Sequence, residues 1–103
     1  MAYASAVRFE WDAAKNAANR KKHGASFEEA QDLFTSGVEY LELFDEAHSA
    51  EEDRFIAIGP VRRGVILVAY TERLEDTIRI ISVRHATAAE RKLFQTHMEH
   101  DEP

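Results

Sequence analysis

DRFIAIGPVRRGVILVAYTERLEDTIRIISVR, residues 53–84, decides the fold. It holds three short stretches rich in Ile, Val and aromatic residues, at 53–59, 64–71 and 77–84, which read as strands. The clusters at 60–63 and 72–76 that separate them read as tight turns, so the three strands form an antiparallel meander. Pairing Gly59 with Gly64 and Thr71 with Thr77 sets Arg54 opposite Ala69, and Ala69 opposite Arg79. Two arginines would then lie on one face about 10 Å apart with a small residue between them. By parity Arg84 falls on the other face, although a one-residue slip would exchange these assignments. Both faces are apolar, with Ile56, Ile58, Leu67, Ile81 and Val83 on one and Phe55, Ile66, Val68, Ile78 and Ile80 on the other. Helices must cover one face, and the C-terminal helix, strong curvature or a partner the other.

Working outward, residues 38–43 alternate apolar and polar side chains as a further strand, and VRFEW at 7–11 does the same at the N-terminal side. Asp12 can cap a helix that runs to His23, with Gly24 as its left-handed stop. Ser26 with Glu29 makes a capping box for a second helix whose apolar stripe is Phe27, Ala30, Leu33 and Phe34. Thr87 with Glu90 makes another, opening a C-terminal helix through Leu93, Phe94 and Met98. The order is βααββββα, an α+β fold of one antiparallel meander, two N-terminal helices and one C-terminal helix. The 103 residues suit a single domain, 1–103, with 1–6 and 99–103 as flexible tails.

The composition narrows the function classes. No cysteine is present, which excludes a disulfide scaffold, a thiolate metal site and a Cys nucleophile. The apolar run 65–70 is far shorter than the ~20 residues a membrane-crossing helix needs, so no membrane role is expected and a cytoplasmic location is. The net charge of −6 is uneven: acids crowd into 39–53, while arginines crowd into 60–85. Such polarity suits a small domain with two different partners.

Four sets of residues could carry chemistry. Arg54 and Arg79 form a plausible phosphate clamp, or each pairs with a rim carboxylate such as Glu52 or Glu72. Arg20, Lys21, Lys22 and His23 either complement the dipole of the helix they end, or offer Lys22 as a phosphate contact and His23 as a proton carrier near neutrality. His97 and His100 have metal-sharing spacing but no evident third ligand, so a solvated helix end is the simpler reading and no metal or other cofactor is expected. His48 lies in the acidic loop and His85 before the last helix, neither with a spacing partner. Trp11 reads as a core residue.

The motifs FEWD (9–12), KHG (22–24), FEEA (27–30), EDRFIAIG (52–59), YTER (70–73), RIISVRxAT (79–87) and ER (90–91) occur in one order and spacing. In these the chain resembles the BrnT family of type II toxin-antitoxin ribonucleases, over about residues 7–94. Val83 stands where the family's I-S-A-R motif has a small Ala. The resemblance implies a RelE-like fold and growth-arresting RNA cleavage. It also implies a BrnA-like antitoxin whose ribbon-helix-helix domain binds the operon's own promoter, so that operator DNA is met only through the antitoxin, in a hetero-oligomer.

A metal-independent ribonuclease would attack the phosphate with the ribose 2′-OH, and it must move two protons and stabilise added charge. Arg54, Arg79 and Arg84 can supply the charge, and His23, or failing it Glu52 or Lys22, the proton transfer. Lys22, Arg62, Arg63 and Arg73 are the expected RNA contacts, and the acidic Glu39, Glu42 and Asp45 the expected antitoxin surface. A toxin that poisons a protein target, or a non-toxic co-repressor acting with its antitoxin, would need the antitoxin surface without the arginine row.

Overall fold

The computed structural model describes residues 7–74 and 76–100. The expected 1–6 tail, and 101–103 of the expected C-terminal tail, lie outside the described residues. The elements are β1 (Arg8–Glu10), α1 (Ala13–His23), α2 (Phe27–Thr35), β2 (Leu41–Phe44), a 3-10 turn (Glu46–His48), β3 (Arg54–Val61), β4 (Gly64–Arg73), β5 (Thr77–His85) and α3 (Ala88–His100). Glu99 and His100 therefore belong to the last helix rather than to a tail.

The helix boundaries follow their caps. Asp12 accepts from the Lys15 amide, and Gly24 closes α1 at φ 69°, a conformation that favours glycine. Ser26 and Glu29 bond reciprocally at the start of α2, and Thr87 and Glu90 do so at the start of α3. The apolar stripe of α2 is buried in full.

One five-stranded sheet has the order β1-β5-β4-β3-β2. Strands β2 to β5 form the meander, but β1 joins the far edge in parallel with β5, so the sheet is mixed rather than purely antiparallel. The turns are tighter than the residue types suggest. Pro60 and Val61 remain in β3, leaving Arg62 and Arg63 as a two-residue turn, and β4 runs on to Arg73. Both hairpin registers are thereby shifted by two residues from the expected pairing. Arg54 faces Thr71, and Thr71 faces Arg79. A shift of two conserves the face, so the arginine row survives with Thr71, not Ala69, in its middle.

The larger core lies between the sheet and α1 with α2, where Phe27, Leu33, Phe34, Ile66, Val68, Tyr70, Ile78, Ile80 and Val83 are buried. Helix α3 covers part of the other face, packing Phe94 and Met98 against Ile58, Leu67, Ile56 and Leu41. Beyond α3 that face carries Ala69 and Ser82, both half-buried, and Thr71, which is buried.

Pairing between β4 and β5 slips at Ala69/Tyr70: Tyr70 faces Ile80, but Ala69 faces Ser82, so Ile81 is the extra residue of a β-bulge. Past the bulge the parity of β5 inverts. Val83 turns into the larger core opposite Val68, correcting its expected place beside Ile58. Arg84 turns onto the face of Arg79 and Arg54, correcting its expected place on the opposite one.

Two buried asparagines on α1 tie the layers together. Asn16 accepts from the Phe27 amide at 3.0 Å and donates to Glu28 at 2.9 Å. Asn19 donates to the carbonyls of Ala25 and Val83 at 2.8 and 2.7 Å and accepts from the Val83 amide at 3.1 Å. Because β1 pairs only with the first residues of β5, the Asn19 side chain serves the free edge of β5 where a neighbouring strand would otherwise bond.

Candidate active site

The register places Glu10, Arg79, Thr71 and Arg54 in one row across four strands, on the α3 side of the sheet but beyond the residues α3 packs on. Arg79 donates to Glu10 at 2.7 Å. Arg73, two residues beyond Thr71 on the same face of β4, lies 3.8 Å from Glu10 and 3.8 Å from Glu52. The rim carboxylates are therefore Glu10 and Glu52. Glu72 points to the other face, where burial first and the neighbouring Glu42 second hold its carboxyl above the usual range. Thr71 is buried and donates to the Asp53 carbonyl at 2.6 Å, fixing the centre of the row.

Arg54 differs from its neighbours. Its Nε is the one buried side-chain donor or acceptor without a partner among the described residues. Unmet buried donors are rare in native structures and point to a site rather than to packing. The strand spacing of ~4.8 Å sets Arg54 and Arg79 about 10 Å apart at the backbone, a separation two guanidinium arms can close on a phosphate between them.

Arg84 lies four residues further along the sheet, ~13 Å from the Arg54–Thr71–Arg79 row. Its guanidinium forms a bidentate pair with Glu90 at 2.7 Å on both arms, joining β5 to the first turn of α3. These bonds, with those from the Thr87 amide and hydroxyl, outweigh the effect of burial and hold Glu90 at about 2.

The other cations expected at the site sit at the opposite end of the strands. Arg63 pairs with Glu29 at 2.8 Å and bonds the Gly24 carbonyl, latching the β3–β4 turn to the α1–α2 junction. Arg62 is exposed beside it, and Lys22 and His23 end α1 in the same region. Some eight residues of β3, about 25 Å, separate this end from Arg54. His23 and Lys22 are thus not brought together with the Arg54–Arg79 row, whereas Arg73 is.

The acidic residues follow the outer strand. Glu39 lies 3.5 Å from His97, Glu42 accepts from the Tyr70 hydroxyl, and Asp45 holds His48 at 2.9 Å. Beside them β2 exposes Leu43 and Phe44 at 40% and 53%, and among the described residues no strand pairs with its outer side. Among the described residues no three His, Asp or Glu side chains gather as a metal site would need.

The family profile described as "Ribonuclease toxin, BrnT, of type II toxin-antitoxin system" matches residues 11–90, most of the chain. The chain belongs to the BrnT family. It is accordingly a ribonuclease toxin of a type II toxin-antitoxin system, and membership implies an antitoxin partner. The fold is similar to that of the Brucella abortus ribonuclease toxin BrnT, solved at 1.1 Å. That match has a TM-score of 0.57 and 23% identity, and covers 79% of this chain and 97% of the Brucella one. No curated protein sequence matches. No helix among the described residues is long and apolar enough to cross a membrane.

Glu10, Asn16, Asn19 and the pairing of His48 with Asp45 were not legible as site or framework residues. Asparagines three apart in an alanine-rich helix were the available signal, since Asn disfavours helix interiors unless its side chain is bonded.

Proposed function

We propose that this BrnT-family toxin cleaves RNA endonucleolytically without a metal, by attack of the ribose 2′-OH on the adjacent phosphate, and that a BrnA-like ribbon-helix-helix antitoxin neutralises it. The observation that carries this reading is the Arg54–Thr71–Arg79 row on the α3 side of the sheet, with Arg73 beside it and both flanking arginines partly exposed. In such a reaction negative charge builds on the non-bridging oxygens, and preorganised guanidinium donors stabilise that charge more in the transition state than in the ground state. Glu10 holds Arg79 in place, and an arriving phosphate competes with it for the same donors. Arg84, held by Glu90, joins β5 to the first turn of α3.

Glu39, Glu42 and Asp45 form the antitoxin surface. An acidic strand edge repels RNA, whereas a DNA-binding partner must itself be basic. The free edge of β2 offers main-chain groups and two exposed apolar side chains beside those acids.

The test is expression without the antitoxin, which should arrest growth with cellular RNA cut. Arrest with RNA intact would point instead to a toxin that poisons a protein.

A further inference from the structure

Resting on that reading, we propose that His48 is the proton acceptor for the attacking 2′-hydroxyl, oriented by Asp45. A cavity of about 220 Å³ opens at the start of β3, lined by His48, Ala50, Glu51, Glu52 and Arg54. It is smaller than the ~300–1,000 Å³ that takes a whole drug-sized ligand, and it brings the His48 ring and Arg54 to one opening beside Glu51 and Glu52. His48 is the one imidazole among the described residues at this end of the sheet. His23 and His85 lie at the other end, and His97 and His100 on α3.

The ring is held in a usable orientation. Nδ1 lies 2.9 and 3.2 Å from the two carboxylate oxygens of Asp45. A carboxylate only accepts, so in the neutral ring Nδ1 is the nitrogen that carries the proton and Nε2 the one that carries the lone pair. The imidazole side chain is 67% exposed while Asp45 is 15% exposed, so the pair presents its basic nitrogen outward and shields the carboxylate.

The loop that carries the pair is tied to Arg54. The Asp45 amide donates to the Arg54 carbonyl at 2.8 Å, and the Ser49 hydroxyl donates to the Asp45 carbonyl at 2.6 Å while accepting from the Arg54 amide at 2.9 Å. Base and charge stabiliser are thereby fixed to one another through the main chain.

The 2′-hydroxyl proton passes to Nε2, the 2′ oxygen bonds to phosphorus, and the bond from phosphorus to the 5′ oxygen breaks. The leaving oxygen takes a proton from water, and the imidazolium returns its proton to the hydroxide left behind. The products are a 2′,3′-cyclic phosphate and a 5′-hydroxyl.

Single-turnover cleavage by the purified full-length chain in EDTA tests the assignment. His48→Ala should lower the rate by roughly 10²- to 10⁴-fold while binding a non-cleavable 2′-deoxy RNA within about two-fold of wild type. Added imidazole should restore part of the rate to His48→Ala and none to Arg54→Ala. Asp45→Asn should lose roughly ten-fold. A wild-type chain that cannot cut RNA in EDTA overturns the metal-free reading of the reaction and this role with it. Active wild type with an unimpaired His48→Ala variant overturns the role of His48 alone. Loss without imidazole rescue also overturns it, leaving His48 as a structural member of the loop.

Discussion

Arg79 is one-third exposed and pairs with Glu10, so its removal takes charge from the row and little from the core. Arg54 is half-buried at a strand end, with its Nε unmet. Replacing either by alanine should lower RNA cleavage by two or more orders of magnitude with thermal unfolding unchanged, because one preorganised donor of this kind is worth ~3 kcal/mol in a transition state. Lysine should restore little at a position that needs a two-armed contact. Activity near wild type in both alanine variants rules out the clamp. Both residues were legible because a two-residue error of register leaves a side chain on its own face. Their surroundings were not: Glu10 is 69 positions from Arg79, and nothing in strand periodicity pairs β1 with β5.

Among the elements, β5 shows where reading by parity fails. An inserted residue leaves local composition unchanged, so the run of apolar residues across Ile80, Ile81 and Val83 conceals the bulge, and Arg84 changes face without a mark in the sequence. The element it then meets is α3. Glu90, about 2 in the folded chain against an ordinary 4.5, takes part in a stabilisation that is complete above the unfolded value and lost as pH falls towards the folded one. Glu29, held low chiefly by Arg63 at the other end of the sheet, acts in the same direction. Unfolding temperature should therefore drop between about pH 5 and pH 2. Glu90→Gln should flatten that drop and cost on the order of 2 kcal/mol at neutral pH, allowing for the partly exposed Arg84 partner. A denaturation series in which Glu90→Gln keeps the wild-type acid slope contradicts this account of the β5–α3 joint. The helix caps, in contrast, were readable residue by residue, because a capping box is a purely local pattern.

Across the whole molecule, the net charge of −6 is unevenly placed, with acids crowded into 39–53 and arginines into 60–85. Arg54, Arg73 and Arg79 share one face with the carboxylates of Glu10 and Glu52, while Glu39 and Glu42 follow the β2 side of the sheet. Reversing the charge of Glu39, Glu42 and Asp45 together should weaken antitoxin binding in a salt-dependent way, measured by titration calorimetry at two ionic strengths. Unchanged affinity at low salt excludes this surface. The meander and its flanking helices were legible from periodicity and caps, while the parallel docking of β1 and the distance between His23 and the arginine row are tertiary facts that no local pattern encodes. The central claim, metal-free cleavage by the 2′-hydroxyl on the arginine row, is tested most directly by the ends of RNA cut by the purified protein in EDTA. The account predicts 2′,3′-cyclic phosphate and 5′-hydroxyl termini; intact RNA, or 3′-hydroxyl and 5′-phosphate termini, would contradict it.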